Sequence, residues 1–246
     1  MTSKKITFTL IIQLFFFTVY AQKLPVVQQA SLRAPADIKI DGKPKEWGNK
    51  FQAYNKTTGV YYTISNDTEN LYLAIYSNEK DFTDKILRNG INISFNAKKK
   101  SAEGSVIIKY PLSQAQNMEE SNKYVETIYK SRTEDPLLLK MNKAIVTRNK
   151  HIKIFGAKAL TDTLFSIYDA KGVMVGIDCP AANVFYYEIA IPLKYLQFTS
   201  EALPRINYNI QTNGSWLAHL RPPSFWAEEA YKVYAADFWG EYALAK

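Results

Sequence analysis

The stretch "TGVYYTISNDTENLYLAIY", Thr58 to Tyr76, decides the fold class. Its two arms, Thr58–Ser65 and Leu71–Tyr76, are dense in aromatic and β-branched residues, and the polar run Asn66–Asn70 between them supplies a turn, so the stretch predicts a β-hairpin. Working outward, Gly90–Asn96 and Ser105–Tyr110 predict a second strand pair joined across Lys98, Lys99 and Lys100. Short runs at His151–Phe155, Leu164–Tyr168, Gly172–Ile177, Val184–Ile191 and Ile206–Gln211, separated by turn residues, continue the pattern. Between the pairs, Phe82, Ile86 and Leu87 recur at helical spacing in Asp81–Asn89, with Asp81 placed to cap the helix and Gly90 to stop it. Residues 112–150 contain no glycine and carry Val125, Ile128 and Tyr129 at helical spacing, which predicts one or two helices, broken by Pro136, as an insertion. The expected fold is mainly β: an antiparallel β-sandwich of jelly-roll or immunoglobulin-like type with a helical insertion around 112–150.

The N-terminus reads as an export signal. Met1–Lys5 is basic, Ile6–Tyr20 is apolar but too short for a stable span, and Val19-Tyr20-Ala21 fits cleavage before Gln22. The only cysteine, Cys179, is far from this leader, which argues against a lipoprotein and rules out an internal disulfide. It reads as a small buried hydrophobe. The expectation is a signal peptide over 1–21, an extended lead-in over 22–36 and a single domain over 37–246, secreted or periplasmic and without a membrane span once the signal is cleaved. Cleavage lowers the formal charge from +8 to +6. Apart from Lys98–Lys100 the basic residues are scattered singly, without the stripe that a phosphate backbone requires, so nucleic acid is not an expected partner.

Three separated segments carry a family likeness. Ile40-Asp41-Gly42 with Glu46-Trp47, the hairpin Tyr61–Tyr76, and "YYEIAIPLKYL" from Tyr186 to Leu196 together resemble the carbohydrate-binding module family 9-like β-sandwiches, in the wider group that includes DOMON sugar- and haem-binding domains. The ending "DFWGEYALAK" is similar to the closing strand of exported members from Bacteroidota. In physical terms, Ile38 and Ile40 alternate toward a core, Asp41-Gly42 turns the chain, Pro44 stops the ladder and Trp47 folds back as an apolar plug. Tyr187, Ile189 and Ile191 alternate with Glu188 and Ala190 until Pro192 ends the strand before a helical turn at Leu193–Leu196.

Sugar recognition needs flat aromatic faces flanked by polar side chains. The segment "NGSWLAHLRPPSFWAEEAY", Asn213 to Tyr231, gathers both kinds in a loop broken by Pro222-Pro223. The resemblance implies a sugar site built by tryptophans on such loops, which favours Trp216 and Trp226 for stacking, with Asn213, Arg221 and Glu228 as hydrogen-bonding partners. The competing reading makes these aromatics core residues or loop anchors, and Trp47 and Trp239 are expected in the core. Haem would need axial ligands from His151, His219, Met118, Met141, Met174 or Cys179, which show no characteristic spacing. Calcium would draw on Asp67, Glu69 and Asp81, but no calcium-loop array is present, so no cofactor is expected. No serine-hydrolase, zinc-protease or phosphate-loop motif occurs. A glycosidase needs only two carboxylates, and 23 acidic residues leave that pairing open. The expected function is non-catalytic binding of a polysaccharide or oligosaccharide. The alternatives are an accessory or envelope-assembly protein that meets a protein partner through 112–150, and a haem-binding domain.

Overall fold

The computed structural model describes residues 23–48, 50–112, 123, 126–127, 130, 135–196, 198, 204–214 and 234–246. The chain forms two antiparallel sheets. The first has the order β1 (Ala53–Asn55), β2 (Val60–Asn66), β3 (Asn70–Ser77), β9 (Phe185–Pro192), β8 (Met174–Asp178). The second has the order β11 (Ala236–Ala243), β10 (Arg205–Thr212), β4 (Ile91–Asn96), β5 (Val106–Tyr110), β6 (His151–Phe155), β7 (Leu164–Ser166). The predicted hairpin is β2–β3, and the side-chain carboxylate of Asp67 closes its turn by accepting from the Glu69 and Asn70 N–H groups, both at 2.7 Å, and from the Tyr72 hydroxyl at 2.6 Å. Strand parity makes the core: Tyr62, Ile64, Leu73, Ile75, Tyr187 and Ile189 from one sheet meet Ile93, Phe95, Ile108, Ile154, Tyr208 and Ile210 from the other in one buried cluster. Across that core the Tyr62 and Tyr208 hydroxyls lie 2.8 Å apart.

One helical detail differs from expectation. Helix α1 spans Lys80–Asn89, so its N-cap position falls on Glu79 rather than Asp81, and no side chain there bonds the first turn. Gly90 does stop it, at φ 80°, with its N–H on the Ile86 carbonyl. Helix α2 spans Pro136–Arg148, so the helical run is interrupted at Asp135 and Pro136 opens the next helix: the Asp135 side chain caps the Leu137 and Leu138 N–H groups, and proline at a helix start forfeits no hydrogen bond. Lys123, Glu126, Thr127 and Lys130 are also helical. No helix among the described residues is long and apolar enough to cross a membrane.

The edges of the fold are sealed by side-chain amides. Gln28, 4% exposed, donates from Nε2 to the Ile64 carbonyl at 2.8 Å and accepts the Ile64 N–H at 2.7 Å, as a neighbouring strand would. The Asn66 side chain does the same to Ala245, at 3.1 and 2.7 Å. The lead-in thus lies along β2, with Arg33 bridged parallel to Asn66 and the Tyr242 hydroxyl donating to the Leu32 carbonyl at 2.9 Å.

The segment Asp41–Trp47 is tied to β9 by a buried carboxylate. Glu188 is fully buried; its Oε2 accepts the N–H groups of Asp41, Gly42 and Lys43 at 3.2, 2.9 and 3.1 Å, and its Oε1 accepts the Trp47 indole N–H at 3.0 Å. Trp47 is therefore half-buried and polar in its attachment, not a core plug, and Ile38 and Ile40 are only partly buried. Burial pushes the Glu188 carboxyl up from the ordinary range and the four donors pull it back. Its cross-strand neighbours are the small residues Ala74 and Gly176. A Cβ on Gly176 would sit 2.4 Å from the Gly42 nitrogen, and Gly42 itself holds φ 79°.

Replacing Glu188 by Gln, which leaves donors facing an NH₂ group, is expected to lower stability by about 3 kcal/mol in equilibrium urea unfolding. Gly176→Ala should also destabilise, since it blocks the approach without touching the carboxylate. At the hairpin turn, burial lifts Asp67, but the hydrogen bonds from Tyr72, Asn70 and Glu69 and the charge of Arg33 outweigh it and leave its carboxyl below the usual value. The unfolded chain then binds the proton more readily, so this contribution is complete above about pH 3.9 and is lost as pH falls through the folded value. Acid unfolding of Asp67→Asn should lack that component.

Candidate functional site

The outer face of the five-stranded sheet carries three cross-strand rows, one of them Ser65, Tyr72, Ala190 and Met174, and the other two lie side by side beyond it. In one, Thr63, Ala74, Glu188 and Gly176 stand side by side across β2, β3, β9 and β8. Residues 41–52 cross this row: their N-terminal part binds Glu188, and farther along the Gln52 N–H donates to the Thr63 hydroxyl at 3.1 Å. The next row is aromatic and uncovered by that segment. Tyr54, Tyr61, Tyr76 and Tyr186 are in direct cross-strand register over β1, β2, β3 and β9, and Asp178 on β8 completes the line. Phe51 joins from the end of the crossing segment.

The rings form a continuous ladder. Tyr54 and Tyr61 have centroids 4.3 Å apart, Tyr61 and Tyr76 5.5 Å, and Tyr76 and Tyr186 5.2 Å, while Phe51 stacks on Tyr76 at 5.3 Å with the planes 12° apart. All five are partly exposed, and with Leu24 four of them, Phe51, Tyr61, Tyr76 and Tyr186, line a shallow groove of about 390 Å³. Polar groups border it: the Tyr54 hydroxyl donates to Glu79 at 3.2 Å. The Tyr61 and Tyr186 hydroxyls make no hydrogen bond within the described protein, so they are available to a ligand. Burial, with the neighbouring Tyr186 and Tyr61, raises the Tyr76 phenol above its ordinary value and keeps it neutral at physiological pH.

Of the five residues expected to bind sugar, Asn213 is described, whereas Trp216, Arg221, Trp226 and Glu228 lie outside the described residues. Asn213 follows β10, and its Nδ2 donates to the Asn89 carbonyl at 2.8 Å and to Asn92 Oδ1 at 3.1 Å, so it fastens the end of α1 to the sheet. Because α1 links β3 to β4, the β10–β11 connection leaves the second sheet at the same end of the sandwich as the ladder. Trp239 is half-buried on the outward side of β11, opposite Asn209, rather than in the core. Cys179 is buried, and burial pushes its thiol well up, as an inert core residue requires. Asp67 is consumed by its turn, and no metal-holding cluster of His, Cys, Asp or Glu occurs among the described residues.

The ladder was missed in the sequence, although its parity was present there. With Tyr62, Ile75 and Tyr187 inward, Tyr61, Tyr76 and Tyr186 must point outward. Their alignment into one row depends on strand register, which the spacing alone does not reveal. Comparison with protein-family models, curated proteins and solved structures returned no match.

Tyr186→Ala is expected to remove stacking with Tyr76 and cost about 1 kcal/mol. Tyr62→Ala, inside the core, should cost roughly 3–5 kcal/mol by the same urea titration. A ladder residue that proved as costly as Tyr62 would be a core residue in energetic terms.

Proposed function

We propose that this chain is an exported, non-catalytic carbohydrate-binding protein, and that the aromatic ladder of the five-stranded sheet is its principal contact surface. The observation that carries this reading is the alignment of Tyr54, Tyr61, Tyr76 and Tyr186 in one cross-strand row beside the row that residues 41–52 cover. Aromatic surface takes up the apolar C–H faces of pyranose rings, and the unused Tyr61 and Tyr186 hydroxyls offer hydrogen bonds to sugar hydroxyls. A row of rings repeated at strand spacing suits an extended chain of sugars better than a single residue. The family 9-like resemblance of the sequence points the same way. In this reading Trp216 and Trp226 remain the proposed stacking tryptophans and Asn213, Arg221 and Glu228 their proposed hydrogen-bonding partners, on the strength of the family 9-like resemblance.

The test is binding of the mature chain, residues 22–246, to a broad array of plant, algal and microbial glycans. A selective, saturable hit is expected. Tyr61→Ala with Tyr186→Ala should weaken it at least about tenfold while the far-ultraviolet circular dichroism stays unchanged. Unchanged affinity in that variant, and in Trp216→Ala with Trp226→Ala, would remove the stacking mechanism.

A further inference from the structure

On the opposite side of the sandwich the outer face of the six-stranded sheet carries a second, chemically different row. Asp237, Gln211, Asn92, Lys109, Lys153 and Leu164 are in register across β11, β10, β4, β5, β6 and β7. Ile108 and Ile154, each adjacent in sequence to one of the lysines and facing the other way, are core residues, so Lys109 and Lys153 both point outward. Two ammonium groups directly opposite each other on adjacent strands repel, and a sheet ordinarily avoids or neutralises such a pair. Here nothing neutralises it: neither lysine forms an ion pair with any carboxylate in the described protein. The carboxylate in the same row, Asp237, stands three strands from Lys109, about 14 Å at sheet spacing, and accepts from Asn209 Nδ2 at 2.6 Å.

The neighbours of the pair are donors. Asn92 Nδ2 donates to Gln211 Oε1 at 3.4 Å and Asn92 Oδ1 accepts from Asn213, which leaves the Gln211 amide nitrogen directed at no protein acceptor. His151 lies two residues before Lys153 and shares its face, opposite Ser166. Two cations beside free amide donors, held on rigid strands, complement an anionic group flanked by hydroxyls.

We propose that this row binds the carboxylate or sulfate groups of an acidic polysaccharide, with Lys109 and Lys153 sharing one anionic group and Gln211 reaching an adjacent hydroxyl. The proposal rests on the glycan reading and adds to it the charge of the polymer and a second contact face, too far round the sandwich to meet the sugars held by the ladder.

The experiment is affinity electrophoresis of the mature chain through gels containing polygalacturonate, alginate or chondroitin sulfate, and through methyl-esterified polygalacturonate, which keeps the backbone and masks the charge. Retardation by at least one acidic polymer is expected, falling with added salt and absent on the methyl ester where polygalacturonate is the polymer retained. Lys109→Gln with Lys153→Gln should weaken it roughly tenfold or more, and Lys109→Arg with Lys153→Arg should keep it. The Gln variant should melt at or above the temperature of the unaltered protein, because repulsion is relieved, so loss of binding there is not loss of fold. Equal retardation of the Gln variant, or no retardation by any acidic polymer, overturns the proposal. Binding to neutral glycans with no acidic preference would overturn it while leaving the ladder reading intact; no binding to any glycan would remove both. Lysine-dependent binding to anionic vesicles or single-stranded DNA, without binding to the polysaccharides, would also overturn it.

Discussion

A buried carboxylate organises one whole side of this protein. Glu188 stands where a sheet would ordinarily meet water, yet it is fully buried, and an anion in that position must be given donors by something laid over it. Three backbone N–H groups of Asp41–Lys43 and the Trp47 indole supply them. To bring a peptide backbone that close, the flanking strands must present almost no side chain, which is why Ala74 and Gly176 lie on either side and why Gly42 faces Gly176. The chain then has one course available, along the row to Thr63, and that course leaves the neighbouring row of tyrosines open. The candidate binding surface is thus the part of the sheet that the Glu188 clamp does not cover.

The two faces of the sandwich offer contrasting chemistry from the same geometric device. Strand register places chemically alike residues side by side: rings on the first sheet, amides and ammonium groups on the second. Stacked rings stabilise one another, so the aromatic row supports the fold as well as any ligand. Opposed lysines oppose folding, and the anion proposed above would offset that cost. That asymmetry in cost is what distinguishes a structural feature that also binds from one that only binding explains.

Much of the fold was legible because its signals are local. Alternation in Thr58–Ser65 and Leu71–Tyr76 around a polar turn specifies a hairpin whatever the rest of the chain does, and Gly90 marks the end of α1 because its positive φ suits glycine. Where local rules competed, they misled. Asp81 looked like a cap but sits inside a helix that starts a residue earlier. The site was less legible, for a different reason. Glu188 and Gly42 are 146 residues apart, and the tyrosines of the ladder come from four strands, so no window of sequence contains either arrangement. Trp47 and Trp239, assigned to the core on size alone, are half-buried because one has a polar partner and the other falls on the outward parity of its strand.

The amides of Gln28 and Asn66 add a further dimension. Each replaces a strand over a single residue, and together they join the first described stretch of chain, the β2 edge and the final residues: Leu32 meets Tyr242, 210 positions away, and Asn66 holds Ala245. Contacts of such long sequence separation form late and only once the last residues have been made. Without Tyr242 and Ala245 the Leu32 carbonyl and the Asn66 amide lack these partners, so this seam cannot close before residues 242–245 have been made.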